Sequence, residues 1–188
     1  MFYNRDMDAI QVFSRNQCAA LLLPRRQTGD LLSLVADLAL NSPLRVVDGG
    51  NLFNVLILSR TLRRKTSRVV EALNRIYISR AFTCYQMEAM LAELDADSAP
   101  IVVLDLLSTF YDESVDDSQS RRLLGNCLLH LKRASSAVPV LVSVFPARQA
   151  EKRPFLLEML LEGIDQTWQW ESQQAAARQP TLWEQNNG

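Results

Sequence analysis

Short apolar runs alternate along this chain with longer segments in which apolar residues recur at helical spacing. The short runs are bounded by polar or proline residues, as strands buried on both faces should be. Five such strands are predicted, at Cys18–Leu23, Leu44–Asp48, Arg75–Ile78, Ile101–Asp105 and Val138–Val144. Strands that alternate with helices usually form a mostly parallel sheet flanked by helices. The sequence therefore predicts an α/β fold.

The helical segments lie between these strands. Their apolar residues follow the period of a helix that packs on a sheet, and they span Asp30–Leu40, Thr83–Leu94 and Gln119–Ala134. Thr83 is also a suitable N-cap for the second of them. After the fifth strand we expect a short helix at Pro154–Gly163 and an edge strand of alternating residues at Thr167–Glu171.

A chain of 188 residues fits one domain that folds around its own core without disulfides or a metal. We assign residues 1–171 to this single domain and residues 172–188 to a polar tail, because the tail has no core pattern. The formal net charge is −1, so no overall field attracts nucleic acid or an anionic membrane. Binding to either would need a local patch.

The three cysteines, Cys18, Cys84 and Cys127, are widely spaced and form no C-x-x-C pair. This pattern argues against a disulfide framework and against a zinc site, so we predict no bound metal. The amino terminus has no basic start followed by an apolar run, and no later segment is long enough to cross a bilayer. We therefore expect a cytoplasmic protein without a membrane partner.

One segment of the chain resembles a known family. Residues 72–86, which include Ile78-Ser79-Arg80-Ala81-Phe82, are similar to part of the archaeal and eukaryotic recombinases of the RecA superfamily. In those proteins a strand that ends in an arginine–alanine–phenylalanine turn enters a helix. The order and spacing of the other elements extend the resemblance to residues 18–170. It implies a three-layer RecA-like fold of the P-loop NTPase type and a role in DNA recombination or repair.

The resemblance also implies where a nucleotide would bind. In the family the first strand leads to G-x-x-x-x-G-K-[ST], whose lysine neutralises phosphates and whose hydroxyl holds magnesium. Here Thr28 and Gly29 are followed by Asp30 in the place of the lysine and by Leu31 in the place of the hydroxyl. A carboxylate that faces a triphosphate is repelled by several kcal/mol at an effective dielectric constant of about 20.

Two further strand ends carry positions that the family uses. Gly50 stands where the resemblance places the glutamate that activates the attacking water, two residues after Asp48, and a glycine cannot act as a base. Asp105 keeps the aspartate of the magnesium site, but an aspartate that ends a buried strand is equally a turn former. Gly49 and Gly50 would let a ligand approach the backbone, although a tight turn with positive φ is the favoured interpretation.

These departures predict a pseudo-ATPase with no catalytic residue and no cofactor. Its vestigial nucleotide-binding positions are Thr28, Gly29, Asp30, Asp48, Gly50 and Asp105. His130, the only histidine, lies near the end of a predicted helix, where a capping or surface role is expected. Trp168 and Trp170 share one strand face, and we expect core or interface packing there rather than an exposed platform.

Basic residues supply the candidate nucleic-acid contacts. Five cations occur within nine residues where a helix meets a loop, and two more lie after the fifth strand: Arg60, Arg63, Arg64, Lys65 and Arg68, then Arg148 and Arg153. The favoured interpretation of the five is a solvated helix end, where cations stabilise the helix dipole. The loop at Tyr111–Ser118 carries four carboxylates, which would repel a phosphate backbone.

The sequence thus predicts a non-catalytic RecA-like protein that acts as an accessory or scaffold in DNA recombination or repair. We expect a protein partner or self-association, with DNA as a further candidate partner. Family members often polymerise through an F-x-x-A segment, which none of the seven phenylalanines begins. Two alternatives stay open: a degenerate nucleotide-binding subunit whose site a partner completes, and a protein-interaction module unrelated to DNA.

Overall fold

A computed structural model describes residues 2–3, 16–94, 99–111, 114–145 and 153–170 of the chain. Within these residues seven strands form one sheet, and all neighbouring strands run parallel. The strands are β1 (Phe2–Tyr3), β2 (Cys18–Leu22), β3 (Leu44–Asp48), β4 (Ile76–Arg80), β5 (Ile101–Leu104), β6 (Val140–Val144) and β7 (Gln166–Trp170). Their order across the sheet is β1-β7-β2-β6-β5-β3-β4.

Helices of the described chain cover both faces of this sheet. They are α1 (Thr28–Asn41), α2 (Val55–Arg63), α3 (Val69–Asn74), α4 (Cys84–Ala92), α5 (Asp117–Ser135) and α6 (Pro154–Glu162). Apolar side chains of α1, α2 and α3 form a buried core with one face, whereas α4, α5 and α6 form a second core with the opposite face. The three-layer RecA-like α/β fold that the sequence predicts is therefore confirmed.

The sequence pattern matches the structure best where both faces of a strand are buried. β3 has the predicted bounds, and alternate residues of β2 point into the two cores, as its unbroken apolar run predicts. Thr83 caps α4 as expected, because its side chain accepts a hydrogen bond from the N–H of Gln86.

At the sheet margins two strand predictions are wrong. The strand expected at Arg75–Ile78 begins one residue later and continues for two more, because its polar end belongs to an exposed outer strand, β4. The strand expected at the edge, Thr167–Glu171, is β7, and it is not an edge, because β1 pairs with it on the outer side. Trp168 and Trp170 of β7 are buried, which confirms their expected packing role.

The segment between β3 and β4 contains two helices, α2 and α3; the sequence analysis assumes a helix that ends at the basic cluster but gives no bounds for it, and it does not predict the second helix. Asn54 is the N-cap of α2, and its side chain accepts hydrogen bonds from the N–H groups of Leu56 and Ile57. The buried side of α2 consists of Leu58 and Leu62, which is too short a periodic pattern to predict a helix on its own.

Two other predictions concern the chain as a whole. Among the described residues, no helix combines the length and the apolar character that a membrane crossing requires. The predicted polar tail at residues 172–188 lies outside the part of the chain that the structure describes. The assignment of residues 1–171 to a single domain stays a prediction.

Candidate functional site

Polar side chains collect at the carboxyl ends of the strands. Because the strands are parallel, these ends meet at one edge of the sheet, which is where open α/β sheets bind ligands. The side chains, which we name the carboxyl-end cluster, are Arg25 after β2, Asp48 in β3, Arg80 in β4, Asp105 after β5 and Ser143 in β6.

Asp48 is fully buried, and the protein itself uses both oxygens of its carboxylate. Oδ1 accepts a hydrogen bond from the N–H of Leu52 and Oδ2 accepts one from the N–H of Phe53, each at 2.9 Å. The Nε atom of Arg80 lies 3.3 Å from Oδ2. Asp48 thus fixes the turn after β3 and joins that turn to the outer strand β4, and groups of the protein compensate its charge.

Asp105 is the second buried carboxyl of the cluster. Its backbone is left-handed, with φ 52°, and its N–H donates a hydrogen bond of 3.0 Å to Oγ of Ser143. Burial raises the pKa of Asp105 to about 6. The positive charge of Arg25 and a hydrogen bond from the backbone of Phe145 lower this pKa, whereas the negative charge of Asp48 raises it. The left-handed backbone supports the turn-forming role of Asp105.

The two glycines after β3 are packed against this second carboxyl. A Cβ atom on Gly50 would lie 2.6 Å from Cβ of Asp105, and one on Gly49 would lie 2.6 Å from Cε of Met87. Neither glycine has a positive φ, so the expectation that they supply one is wrong, and Asn51 has it instead, at 54°. Glycine is required here because Asp105 and Met87 approach the backbone closely.

The start of α1 lies where the resemblance places the phosphate loop. A single 3-10 turn, Arg25–Gln27, connects β2 to Thr28, whose hydroxyl donates a hydrogen bond of 2.6 Å to the carbonyl of Arg25. Asp30 lies in the first turn of α1, where a carboxylate stabilises the helix dipole. A Cβ atom on Gly29 would have no neighbour within 4 Å, so packing does not require this glycine.

The six vestigial nucleotide-binding positions are therefore only partly brought together. Asp48, Gly50 and Asp105 form one packed group, in which Asp105 contacts the site of a Gly50 Cβ and its pKa responds to Asp48. Thr28, Gly29 and Asp30 begin α1. Arg25, just before this helix, connects them to the packed group, because its positive charge lowers the pKa of Asp105.

Three members of the carboxyl-end cluster are absent from the sequence predictions of the site: Arg25, Arg80 and Ser143. An arginine and an aspartate that end two successive strands are a signal for the Asp48–Arg80 pair, because successive strands are usually neighbours in a sheet. No such signal marks Ser143, which is one hydroxyl in an apolar run. Its partner, the N–H of Asp105, is 38 residues away in the chain.

The five clustered cations lie at the end of α2 and in the loop that leads to α3. Arg60 and Arg63 occupy the last turn of α2, where they stabilise the helix dipole. Lys65 forms an ion pair with Asp37 of α1, and an Nη of Arg68 lies 3.6 Å from a carboxylate oxygen of Glu71. All five cations, including Arg64, are solvent-exposed, so the cluster is an accessible basic surface.

Of the two remaining candidate nucleic-acid contacts, the structure describes only Arg153. Arg148 lies outside the described residues. Arg153 precedes α6 on the opposite face of the sheet, and its side chain is 13% exposed. Its guanidinium donates hydrogen bonds to the carbonyls of Phe110, at 2.9 Å, and Val115, and it pairs with Asp117 at 3.1 Å. Arg153 therefore holds the loop after β5 in place.

Two other predicted features take structural roles. In the acidic loop, Asp116 caps α5 by accepting a hydrogen bond of 2.8 Å from the N–H of Gln119. His130 lies with its Nε2 atom 3.6 Å from Oε1 of Glu88 on α4. Among the described residues, no group of three or more His, Cys, Asp or Glu side chains is placed to hold a metal ion.

Neither a protein-family profile nor a curated protein matches this chain. The fold and the carboxyl-end cluster define a three-layer, RecA-like α/β protein whose ligand edge contains two buried carboxyls and closely packed glycines. The resemblance of residues 72–86 to recombinases stays a prediction.

Two glycine substitutions test the packing of this edge. Gly50→Ala should lower the free energy of unfolding by about 1 to 3 kcal/mol, because its methyl group would overlap Asp105. Gly29→Ala, the matched control in open space, should raise it by up to about 1 kcal/mol, since alanine favours the helix. Urea unfolding measures both changes, and equal effects of the two substitutions would contradict the packing described.

Asp105→Asn tests the buried carboxyl. Its pKa is raised from 3.8 to about 6 on folding, so the folded state holds the proton more tightly and stability falls as pH rises between these values. Asparagine cannot ionise and tolerates a left-handed backbone. Urea unfolding measures the free energy of unfolding of both proteins. The value for the variant minus that for the wild type should increase by roughly 2 to 3 kcal/mol between about pH 3.5 and about pH 7.5. A difference that does not vary with pH would contradict this.

Proposed function

We propose that this chain is a non-catalytic RecA-like protein, a pseudo-ATPase, that acts as an accessory or scaffold in DNA recombination or repair. It works through protein contacts and binds DNA weakly. The resemblance of residues 72–86 to RecA-superfamily recombinases supports the assignment to recombination or repair. The geometry of the carboxyl-end cluster supports the absence of catalysis.

The observation that carries the proposal is the contact between Gly50 and Asp105. The resemblance places the water-activating glutamate at Gly50, where even a Cβ atom would lie 2.8 Å from Oδ2 of Asp105. A side chain therefore cannot occupy this position unless Asp105 moves. The carboxylate of Asp48 is also occupied by contacts within the protein, since it accepts two backbone hydrogen bonds and pairs with Arg80.

Electrostatics at the start of α1 support the same conclusion. The first turn of this helix carries Asp30 and no lysine, and the nearby Asp105 adds a second carboxyl that is mostly ionised at neutral pH. A nucleotide triphosphate at this end of the sheet would face both negative charges. The 3-10 turn before the helix contributes two arginines, Arg25 and Arg26, and the charge of Arg25 already acts on Asp105.

Titration with nucleotide tests the non-catalytic role. Isothermal titration of the full chain with ATP and magnesium should show no binding, and a phosphate-release assay should show no turnover above buffer. Micromolar binding that Asp105→Asn abolishes would contradict the proposal. Asp37→Asn is the matched control, because Asp37 is a carboxylate of α1 that pairs with Lys65 on the surface.

The basic cluster on α2 supports weak DNA binding, because exposed arginines attract phosphates when the protein as a whole does not. Filter binding of single- and double-stranded DNA at low salt should show weak association. In the double variant Arg63→Ala/Arg64→Ala, the slope of log affinity against log salt should decrease by about two. Arg122→Ala, an exposed arginine of α5 on the other sheet face, should leave binding unchanged.

The opposite result in this assay favours one of the alternatives. Undetectable binding that does not differ between the wild type and the double variant would support a protein-interaction module unrelated to DNA. It would not affect the proposal about ATP, which depends on the carboxyl-end cluster and on Asp30 at the start of α1.

A degenerate nucleotide-binding subunit is the second candidate function, and one feature favours it. The residue before α1, Gln27, makes no side-chain capping hydrogen bond, and the space beside Gly29 is open. A helix start of this kind accepts anions when a cation is supplied nearby. In this case a partner subunit would contribute the missing positive charge, and ATP would bind only to the complex.

A further inference from the structure

β4 is the last strand of the sheet on its side, among the residues that the structure describes. β4 pairs with β3 on one side, and no segment of the described chain pairs with it on the other. The N–H of Leu44 donates to the carbonyl of Arg75, at 2.9 Å, and the N–H of Ala81 donates to the carbonyl of Asp48, at 3.0 Å. Backbone groups of a strand alternate in direction, so those of Tyr77 and Ser79 also face β3.

The same alternation directs the backbone groups of Ile76, Ile78 and Arg80 away from the sheet. These N–H and C=O groups form a row that is ready to pair with another extended segment. Natural sheets usually block such an edge with lysine, proline, a bulge or a covering loop. β4 has neither lysine nor proline, and its one charged residue, Arg80, pairs with Asp48.

Exposed apolar side chains surround this edge. Among the described residues, all the large apolar side chains that are exposed, except Leu129, belong to β4 or to segments that flank it. Tyr77 and Ile78, which lie on opposite faces of β4, are 63% and 41% exposed. The residues, which together we name the edge surface, are Val55, Leu56, Val70, Tyr77, Ile78, Phe82 and Tyr85. A concentration of this kind marks an interaction site.

The flanking segments are held close to the strand. Val70 lies in α3, which leads directly into β4, and Phe82 follows two residues after its end. An Nη of Arg80 lies 3.4 Å from the carbonyl of Phe53, which keeps the beginning of α2, with Val55 and Leu56, beside the end of β4. Apart from Tyr85, whose hydroxyl donates a hydrogen bond to Gln119 of α5, the edge surface is thus one region built around the outer strand.

The charge of this region selects the partner. Residues 55–82 contain seven lysines and arginines in a chain whose net charge is −1. Three of them, Lys65, Arg68 and Arg80, pair with the carboxylates of Asp37, Glu71 and Asp48, so seven positive and three negative charges leave a net charge of +4. Two copies of the chain that met edge to edge would bring these like charges together. An acidic segment would instead be attracted to them.

We propose that the edge surface binds an extended acidic segment of a partner protein, which pairs with the outer edge of β4 as an additional strand. Main-chain hydrogen bonds to Ile76, Ile78 and Arg80 provide the pairing, and apolar side chains of the segment pack on Tyr77 and Ile78. The proposal identifies a contact surface for the scaffold role proposed above. It needs no link to DNA, so either proposal can fail without the other.

Two substitutions on β4 should prevent pairing with a partner strand while the chain itself still folds. Ile78→Pro removes an outward N–H and places a ring in the path of an incoming strand, while every hydrogen bond to β3 is kept. Tyr77→Glu keeps the backbone and puts a negative charge beside an acidic segment. Leu129→Glu is the matched control, because Leu129 is equally exposed, at 69%, but lies on α5.

The experiment selects displayed random peptides of about twelve residues, roughly twice the length of a strand, on the immobilised full chain. The selected peptides are then measured by fluorescence anisotropy. They should combine alternating apolar residues with acidic residues. Their affinity should fall by about tenfold for Ile78→Pro, which loses one or two backbone hydrogen bonds. It should fall for Tyr77→Glu and stay unchanged for Leu129→Glu.

Three outcomes would overturn the proposal. In the first, peptides selected on the wild type are not acidic or bind Ile78→Pro equally well. In the second, light scattering shows that the wild type forms dimers which Ile78→Pro abolishes, so that a second copy occupies the edge. In the third, an oligothymidine probe binds and Tyr77→Glu prevents its binding, so that the edge surface is a nucleic-acid site.

Discussion

The buried carboxylate of Asp48 determines the structure of the sheet edge at which the carboxyl ends of the strands meet. It lies at the end of β3, the neighbour of the outer strand β4, and it is stable there because two backbone N–H groups and the Arg80 side chain compensate its charge. The same contacts set the path of the turn after β3. That turn places Gly50 against Asp105 and, through Asn54, begins α2. The edge surface beside β4 depends on this arrangement, because α2 forms part of it.

A sheet of this kind usually leaves the carboxyl ends of its strands free for a ligand. Here the residues at these ends contact other parts of the same chain. Asp48 and Ser143 take part in internal hydrogen bonds, and the glycines after β3 accommodate Asp105. Exposed apolar side chains lie instead on the outer strand β4 and on segments that flank it. This division between closely packed carboxyl ends and an unpaired strand edge in the described chain is the basis of the binding role proposed above.

Sequence and structure agree where the physics is local. A strand buried on both faces is mostly apolar, so the run of β2 and the bounds of β3, where a buried aspartate ends the apolar residues, are readable from the sequence. The threonine cap of α4 is readable for the same reason. Contacts between distant residues are not readable from the sequence. The hydrogen bond from Asp105 to Ser143 spans 38 residues, and the position of Arg153 depends on the loop after β5. The glycines show the difference most clearly, because their sequence indicates a positive φ and their structural role is close packing.

The central claim is that this chain's own side chains and charges exclude a nucleotide from the carboxyl ends of the strands. A crystal structure of the protein grown with ATP and magnesium tests it most directly. The account predicts that Gly50 remains packed on Asp105 and that no nucleotide is ordered at the start of α1. An ordered triphosphate at Thr28, Gly29 and Asp30 would contradict it.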